Sequence, residues 1–193
     1  MSVLKALIKP KEYIGNIFSD KKSGWYYFFV YGFTFALIGP VLSLYSLIFQ
    51  MSYSFNKAVL YSLTTYFMDL LTVIIFSFLL SVLSGLNFEK ILKFYVVVNI
   101  PVWIGDIFDI YQPIRILSNL GFLYSFYVLW VGTGILNLRK QAVFIIGLHL
   151  ILYVLNALLS EMIATNPLLL KILDQFHCEN TFLNLQDDNA FVV

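Results

Sequence analysis

FYVVVNIPVWIGDIFDIYQPIRILSNLGFLYSFYVLWVG, residues 94–132, is the stretch that decides the fold of this 193-residue chain. It contains two apolar runs of membrane-spanning length joined by a tight turn. Pro101 interrupts the first run, which a helix in a bilayer tolerates when neighbouring helices satisfy the carbonyl that the proline leaves free. The small residues Gly121, Ser125 and Gly132 share one face of the second run, where another helix can approach closely. The stretch therefore predicts a packed pair of transmembrane helices.

The composition of the whole chain places it in a membrane. Hydrophobic residues make up 60%, charged residues only 12%, and the mean hydropathy is +0.84, whereas about a quarter of the residues of a soluble domain are charged. The net charge is only +1, and the Lys and Arg residues form no basic stripe, which argues against nucleic-acid binding. The single cysteine, Cys178, excludes an intramolecular disulfide.

Three further apolar runs lie outside residues 94–132. Together with the two runs of that stretch, they predict an all-α integral membrane protein, a bundle of five transmembrane helices. An amino-terminal segment, residues 1–24, combines apolar and lysine positions and is interrupted at Pro10, as in an amphipathic helix lying at the membrane interface. A polar carboxyl-terminal tail occupies residues 164–193. The membrane domain covers residues 25–163, with spans predicted at about 25–49, 58–86, 91–111, 114–136 and 142–163.

The distribution of Lys and Arg predicts the orientation of these spans. Nine of these residues lie in the amino-terminal segment and the loops on its side, against three on the other side. Because cytoplasmic loops carry the excess of positive charge, the amino terminus is predicted in the cytoplasm and the carboxyl terminus outside.

Three segments resemble the Yip family of Ypt/Rab-interacting five-span membrane proteins. LIKPKEYIGNIF at residues 7–18 is similar to the opening of prokaryotic members, ALIGPV at 36–41 to the Gly-Pro of the first span, and LGFLYSFYVLWVG at 120–132 to the fourth span. The residues that match family motifs are Gly39, Pro40, Pro101, Tyr124 and Gly132. Eukaryotic members tend to have an acidic residue where this chain has Ala36, and this departure argues against Rab-type binding.

The resemblance implies a scaffold or adaptor in a prokaryotic plasma membrane, without a cofactor. Its expected partners are the lipid bilayer and other membrane proteins or further copies of itself. We expect the face formed by Gly121, Ser125 and Gly132 to receive a partner helix. The helix at residues 7–18 is expected to contact the cytoplasmic leaflet.

Polar residues inside the spans mark a candidate intramembrane site, because such residues are costly in a bilayer. Asp69 lies about 11 residues into the second span, ~17 Å deep at the helical rise, on one face with Ser62, Thr65 and Thr72. Two interpretations are open: a hydrogen bond that fixes helix packing, or a proton, ion or ligand site.

The third and fifth spans add the other candidates. Asp106 and Asp109 lie near the outer end of the third span, where Arg115 can pair with Asp109 across the Pro113 turn. Asn99 shares a helical face with Asp106 and Trp103, and His149 shares one with Asn156. These positions complete a candidate polar site at Asp69, Asn99, Asp106, Asp109 and His149.

Catalytic and metal motifs do not account for these residues. Met68 before Asp69 and Trp103 before Gly105 depart from the pattern of intramembrane aspartyl proteases, so no enzyme is predicted. His177 and Cys178, beside Glu179, have no second spaced pair of ligands, and no metal site is predicted. Two alternatives to a scaffold stay open: a small transporter or channel that uses Asp69, and an accessory subunit of a larger membrane complex.

Overall fold

A computed structural model describes residues 7–172 and shows an all-helical protein in that range. A short helix, α1 (Pro10–Ser19), precedes five helices that are long and apolar enough to cross a membrane. The boundaries of the five agree with the predicted spans to within three residues, and a further helical segment follows at 167–172. The five long helices are α2 (Gly24–Phe49), α3 (Phe55–Ser84), α4 (Phe88–Ile110), α5 (Gln112–Ile135) and α6 (Arg139–Ala164).

The centre of the bundle is α4, which packs against α2, α3 and α5. Every residue from Ile91 to Pro101 on this helix is buried, as expected for a helix that is apolar on all sides. The outer helix α6 packs mainly on α3, and α5 packs mainly on α4. The helices α5 and α6 meet through side chains near their middles, where the Phe122 and Tyr153 rings stack at 3.8 Å.

Glycines allow α4 and α5 to pack closely. A Cβ atom on Gly105 would lie 2.8 Å from the Ser118 carbonyl oxygen, and one on Gly121 would lie 3.2 Å from the Gly105 Cα atom. Gly132 faces the ring of Phe94 in the same way. The small-residue face is thus filled by α4 of the same chain, and the expectation that it receives a partner helix is wrong.

Prolines and short irregular turns shape two of the spans. In α2, a π-helical turn at Phe28–Gly32 is followed by a break at Leu37, because Pro40 has no N–H to donate to the Ala36 carbonyl. The last turn of α4, Asp106–Ile110, is a 3-10 helix, as is the first part of α5, Gln112–Leu117. These departures bring the Gly-Pro of α2 against the end of α4.

The amino-terminal helix lies against the bundle. Tyr13, Ile14 and Ile17 on one face of α1 are only 1–2% exposed and belong to the same apolar core as α4 and α5. The Tyr124 hydroxyl donates a hydrogen bond to the Leu7 carbonyl, which fixes the segment before α1. The apolar face of α1 therefore covers protein, and the expectation that this face contacts the lipid leaflet is wrong.

Candidate functional site

A cavity of about 370 Å³ lies in the half of the bundle farthest from α1. It lies where α2 and α4 end, where α3 and α5 begin, and where α6 ends. Three of the predicted site residues, Asp69, Asp106 and Asp109, line it together with Arg115. We call this space the acidic cavity, because three carboxylates face one guanidinium. Its other polar side chains are Ser43, Tyr61, Thr65, Ser118, Asn119, Tyr153, Asn156 and Ser160.

The outer part of the acidic cavity contains an ion pair across the turn between α4 and α5. Arg115 Nε lies 3.5 Å from Asp109 Oδ1, as the sequence led us to expect. Asp109 is only 9% exposed, and this same oxygen makes no hydrogen bond. This buried oxygen therefore has an ion-pair partner but keeps unused capacity to accept a hydrogen bond.

The Gly-Pro motif of α2 forms one wall beside Asp106. A Cβ atom on Gly39 would lie 2.8 Å from Asp106 Oδ2, so only glycine leaves room for this carboxylate. Pro40 also lines the cavity. The sequence indicated both features separately but not their contact, since it contains no information on which helices are neighbours.

Asp69 lies at the inner end of the acidic cavity, where α3 faces α6. Asn156 Nδ2 donates a 2.6 Å hydrogen bond to Asp69 Oδ1, and Ser160 Oγ donates to Asn156 Oδ1 at 3.2 Å. The chain of hydrogen bonds fixes the Asn156 amide with its nitrogen toward the carboxylate. Asp69 thus has one firm partner and still faces the cavity.

A second, smaller chamber continues inward from Asp69. Its volume of about 20 Å³ is enough for one water molecule. The predicted residues Asn99 and His149 line it with Tyr95 and Tyr153. The two spaces have Asp69, Val102, Tyr153 and Asn156 in common, so all five predicted polar residues belong to one connected polar region.

His149 is 1% exposed and has a partner on each ring nitrogen. Nδ1 lies 2.7 Å from the Tyr95 hydroxyl, and Nε2 lies 2.9 Å from Ser125 Oγ. Ser125 donates its only proton to the Phe122 carbonyl, so it accepts from His149 Nε2, and Tyr95 donates to Nδ1. This arrangement assigns the neutral Nε2–H tautomer, and it joins α4, α5 and α6.

Tyr95 and Tyr153 were not among the residues predicted for the site. A signal for Tyr153 was present, since it lies four residues after His149 and three before Asn156, on the same helical face. Tyr95 lies in a continuous apolar run, where no periodicity marks it. The remaining family-motif residues, Pro101, Tyr124 and Gly132, lie in the α4–α5 contact or against the amino-terminal segment rather than at the cavity.

Within residues 7–172, no three His, Cys, Asp or Glu side chains lie close enough together to hold a metal ion. His177, Cys178 and Glu179 lie outside the residues that the structure describes. The polar region therefore offers carboxylates, amides and hydroxyls, which suit hydrogen-bonding or cationic groups.

Comparison with known proteins identifies the family. No curated protein and no solved structure gave a match. The family model described as the Yip1 domain matches residues 4–160, a range that includes α1, four complete spans and most of α6. This match covers most of the chain and confirms the resemblance to the Yip family. The protein is a polytopic membrane protein that belongs to the Yip1 domain family.

Proposed function

We propose that this protein is a membrane scaffold or adaptor that binds a cationic side chain of a partner membrane protein in the acidic cavity. The observation that carries the proposal is the set of three carboxylates, Asp69, Asp106 and Asp109, facing a single Arg115. Acidic side chains in a membrane domain are rare and pair with an opposite charge where one is present. A Lys or Arg from a neighbouring helix supplies the missing charge.

The openings of the acidic cavity support a ligand that arrives from the side. Ile116 and Asn119 at the start of α5 and Ala157 toward the end of α6 line the cavity and are exposed, so this part of the surface forms part of its rim. The half of α4 nearer α1 is buried throughout, from Ile91 to Val98. A site with openings in only one half of the bundle suits a protein that holds a partner.

The test is native mass spectrometry of the protein extracted gently from its own membrane. We expect discrete heteromeric masses for the wild type and their loss in the Asp69→Asn, Asp106→Asn double variant, which keeps side-chain size and removes two carboxyl groups. The matched control is Glu161→Gln, at the same end of α6 but outside the cavity lining. Thermal unfolding of each variant separates lost binding from lost folding.

Two results would contradict the proposal. One is a complex that survives intact in the folded double variant, because the carboxylates would then have no role in the contact. The other is a wild type that emerges only as a monomer or homo-oligomer. An isolated chain that unfolds without its partner would instead indicate an accessory subunit of a larger complex.

A small transporter or channel is the second candidate, and the chamber beyond Asp69 favours it. This chamber extends the polar region to Asn99 and His149, deeper into the bundle than a binding cavity alone requires. For a transporter, Asp69→Asn abolishes proton or cation flux in proteoliposomes and leaves the thermal unfolding midpoint nearly unchanged. Equal flux in the wild type and the variant would exclude this role for Asp69.

The proposed setting is a prokaryotic plasma membrane with the amino terminus in the cytoplasm, as the Lys and Arg count indicates. Single cysteines at the exposed positions Met51 and Lys140, in a Cys178→Ser background, report opposite sides of the membrane. A maleimide that cannot cross the membrane should label position 51 in intact cells and position 140 only after permeabilisation. The reverse labelling pattern would overturn the proposed orientation.

A further inference from the structure

A recess of about 370 Å³ lies at the opposite end of the bundle from the acidic cavity. It forms where the segment between α1 and α2 meets the start of α4, and we call it the amino-terminal recess. Four lysines, Lys21, Lys22, Lys90 and Lys93, line it together with Glu89. Exposed Trp25 and Tyr26 follow directly in the chain, and aromatic residues of this kind mark the depth of lipid headgroups.

The two carboxylates near the recess, Asp20 and Glu89, already accept hydrogen bonds from other groups of the protein. Asp20 accepts hydrogen bonds from the Lys22 backbone N–H at 3.1 Å and from the Tyr27 hydroxyl at 2.8 Å, and these bonds lower the pKa of its carboxyl group. Glu89 Oε2 accepts from the Gly24 N–H at 3.1 Å. Across residues 7–172, no carboxylate oxygen lies within 4.0 Å of any of the four lysine nitrogens. Four cations therefore face two anions that are bonded elsewhere.

Neighbouring groups hold three of the lysine side chains. Lys93 is only 8% exposed, and its Nζ donates to the Asp20 carbonyl at 2.9 Å. Lys90 Nζ lies 5.2 Å from the centre of the Phe18 ring, and Lys22 Nζ lies 2.9 Å from the Tyr26 hydroxyl. The recess is thus lined with cations before any ligand arrives, which reduces the entropy lost on binding.

The directions of two helices add to the positive electrostatic potential that the lysines create in the recess. Both α2, which begins at Gly24, and α4, which begins at Phe88, have their amino-terminal ends at the recess. The amino-terminal end of a helix carries a partial positive charge that favours anions. A basic pocket between helices at headgroup depth is a known arrangement for recognition of lipid phosphates. We propose that the amino-terminal recess binds the phosphate group of an anionic lipid in the leaflet on that side.

The experiment compares ligands that share or lack the net negative charge. Purified protein in neutral detergent is titrated with dioctanoyl phosphatidylglycerol, with dioctanoyl phosphatidylcholine and with inorganic phosphate, and adducts are counted by native mass spectrometry. The test variant is Lys21→Gln, Lys90→Gln, both exposed positions in the recess. The matched control is Lys11→Gln, Lys140→Gln, which removes the same charge from exposed positions outside it.

We expect phosphatidylglycerol to bind the wild type, and the test variant to bind it roughly 25-fold more weakly, about fivefold for each lysine lost. The control should change by no more than about twofold, because a distant exposed charge is screened. Equal weakening in both variants, or equal affinity for phosphatidylcholine, would overturn the proposal. If inorganic phosphate bound as tightly as phosphatidylglycerol, the proposal of a lipid ligand would be wrong, and the recess would be a site for a soluble anion.

Discussion

Replacement of Gly121 by alanine tests the α4–α5 contact on which the fold depends. The added Cβ atom would lie 3.0 Å from the carbonyl carbon of Pro101 and closer still to its oxygen. Both atoms belong to the backbone, so no side-chain rotation relieves the contact. The two helices would have to separate by about 1 Å to give the added Cβ atom an ordinary C···O distance of about 3.3 Å from the Pro101 oxygen.

The size of the effect follows from two opposing contributions. Overpacking of this kind costs about 1–3 kcal/mol, and a contact with backbone places Gly121 in the upper part of that range. Alanine recovers up to about 1 kcal/mol over glycine within a helix. The net expectation is a loss of about 1–2 kcal/mol in the free energy of unfolding.

Gly147 on α6 supplies the matched control, because a Cβ atom there would have no neighbour within 4 Å. Gly147→Ala should therefore keep or raise stability, and the two variants should differ by about 2–3 kcal/mol. The assay is reversible unfolding in mixed micelles with increasing sodium dodecyl sulfate. A Gly121→Ala protein as stable as Gly147→Ala would refute the packing argument and would reopen the face of α5 to a partner helix.

Three further predictions concern the two ends of the bundle. Hydrogen bonds from the Lys22 backbone and the Tyr27 hydroxyl lower the pKa of Asp20 below 3.8, so the stability that its carboxylate contributes is present above pH 3.8 and is lost as the pH falls through the lowered pKa. The thermal unfolding midpoint should therefore fall less with acid in Asp20→Asn than in the wild type, and identical pH profiles of the two proteins would contradict this prediction. Gly39→Ala should displace the carboxylate beside it and weaken partner binding in native mass spectrometry, with unchanged binding as the contrary result. Tyr124→Phe removes the hydrogen bond to the amino-terminal segment, which costs about 1 kcal/mol of stability, and should speed proteolysis of that segment while leaving the spans intact. An unchanged cleavage rate would show that α1 is held by its apolar face alone.

Local properties of the sequence accounted for the spans. The length of an apolar run is limited by bilayer thickness, so five such runs predict five helices wherever they pack. The pair formed by Arg115 and Asp109 was also accessible, because the tight turn keeps two residues six positions apart near each other. The candidate polar residues could be recognised singly, since the cost of polar groups in a membrane does not depend on which helix is the neighbour.

The apolar face of α1 shows where this local reasoning failed. Tyr13, Ile14 and Ile17 have the spacing of a helix at a membrane surface, and the same spacing suits a helix docked on protein. An amphipathic pattern specifies that one face avoids water, but not what covers it. The prediction for the face of Gly121 and Ser125 failed for the same reason, since small residues accept a helix from the same chain as readily as a helix from another chain.

The sequence by itself determined that this chain is a five-span helical membrane protein of the Yip1 domain family, because hydropathy and motif order are properties of the chain alone. Only the tertiary structure decided that Asp69, Asp106 and Asp109 share one cavity, and that Gly39 leaves room for one of these carboxylates. It also decided that His149 is held between Tyr95 and Ser125. These relations join α2 through α6, and the order and rotation of helices in a bundle depend on packing between residues far apart in sequence.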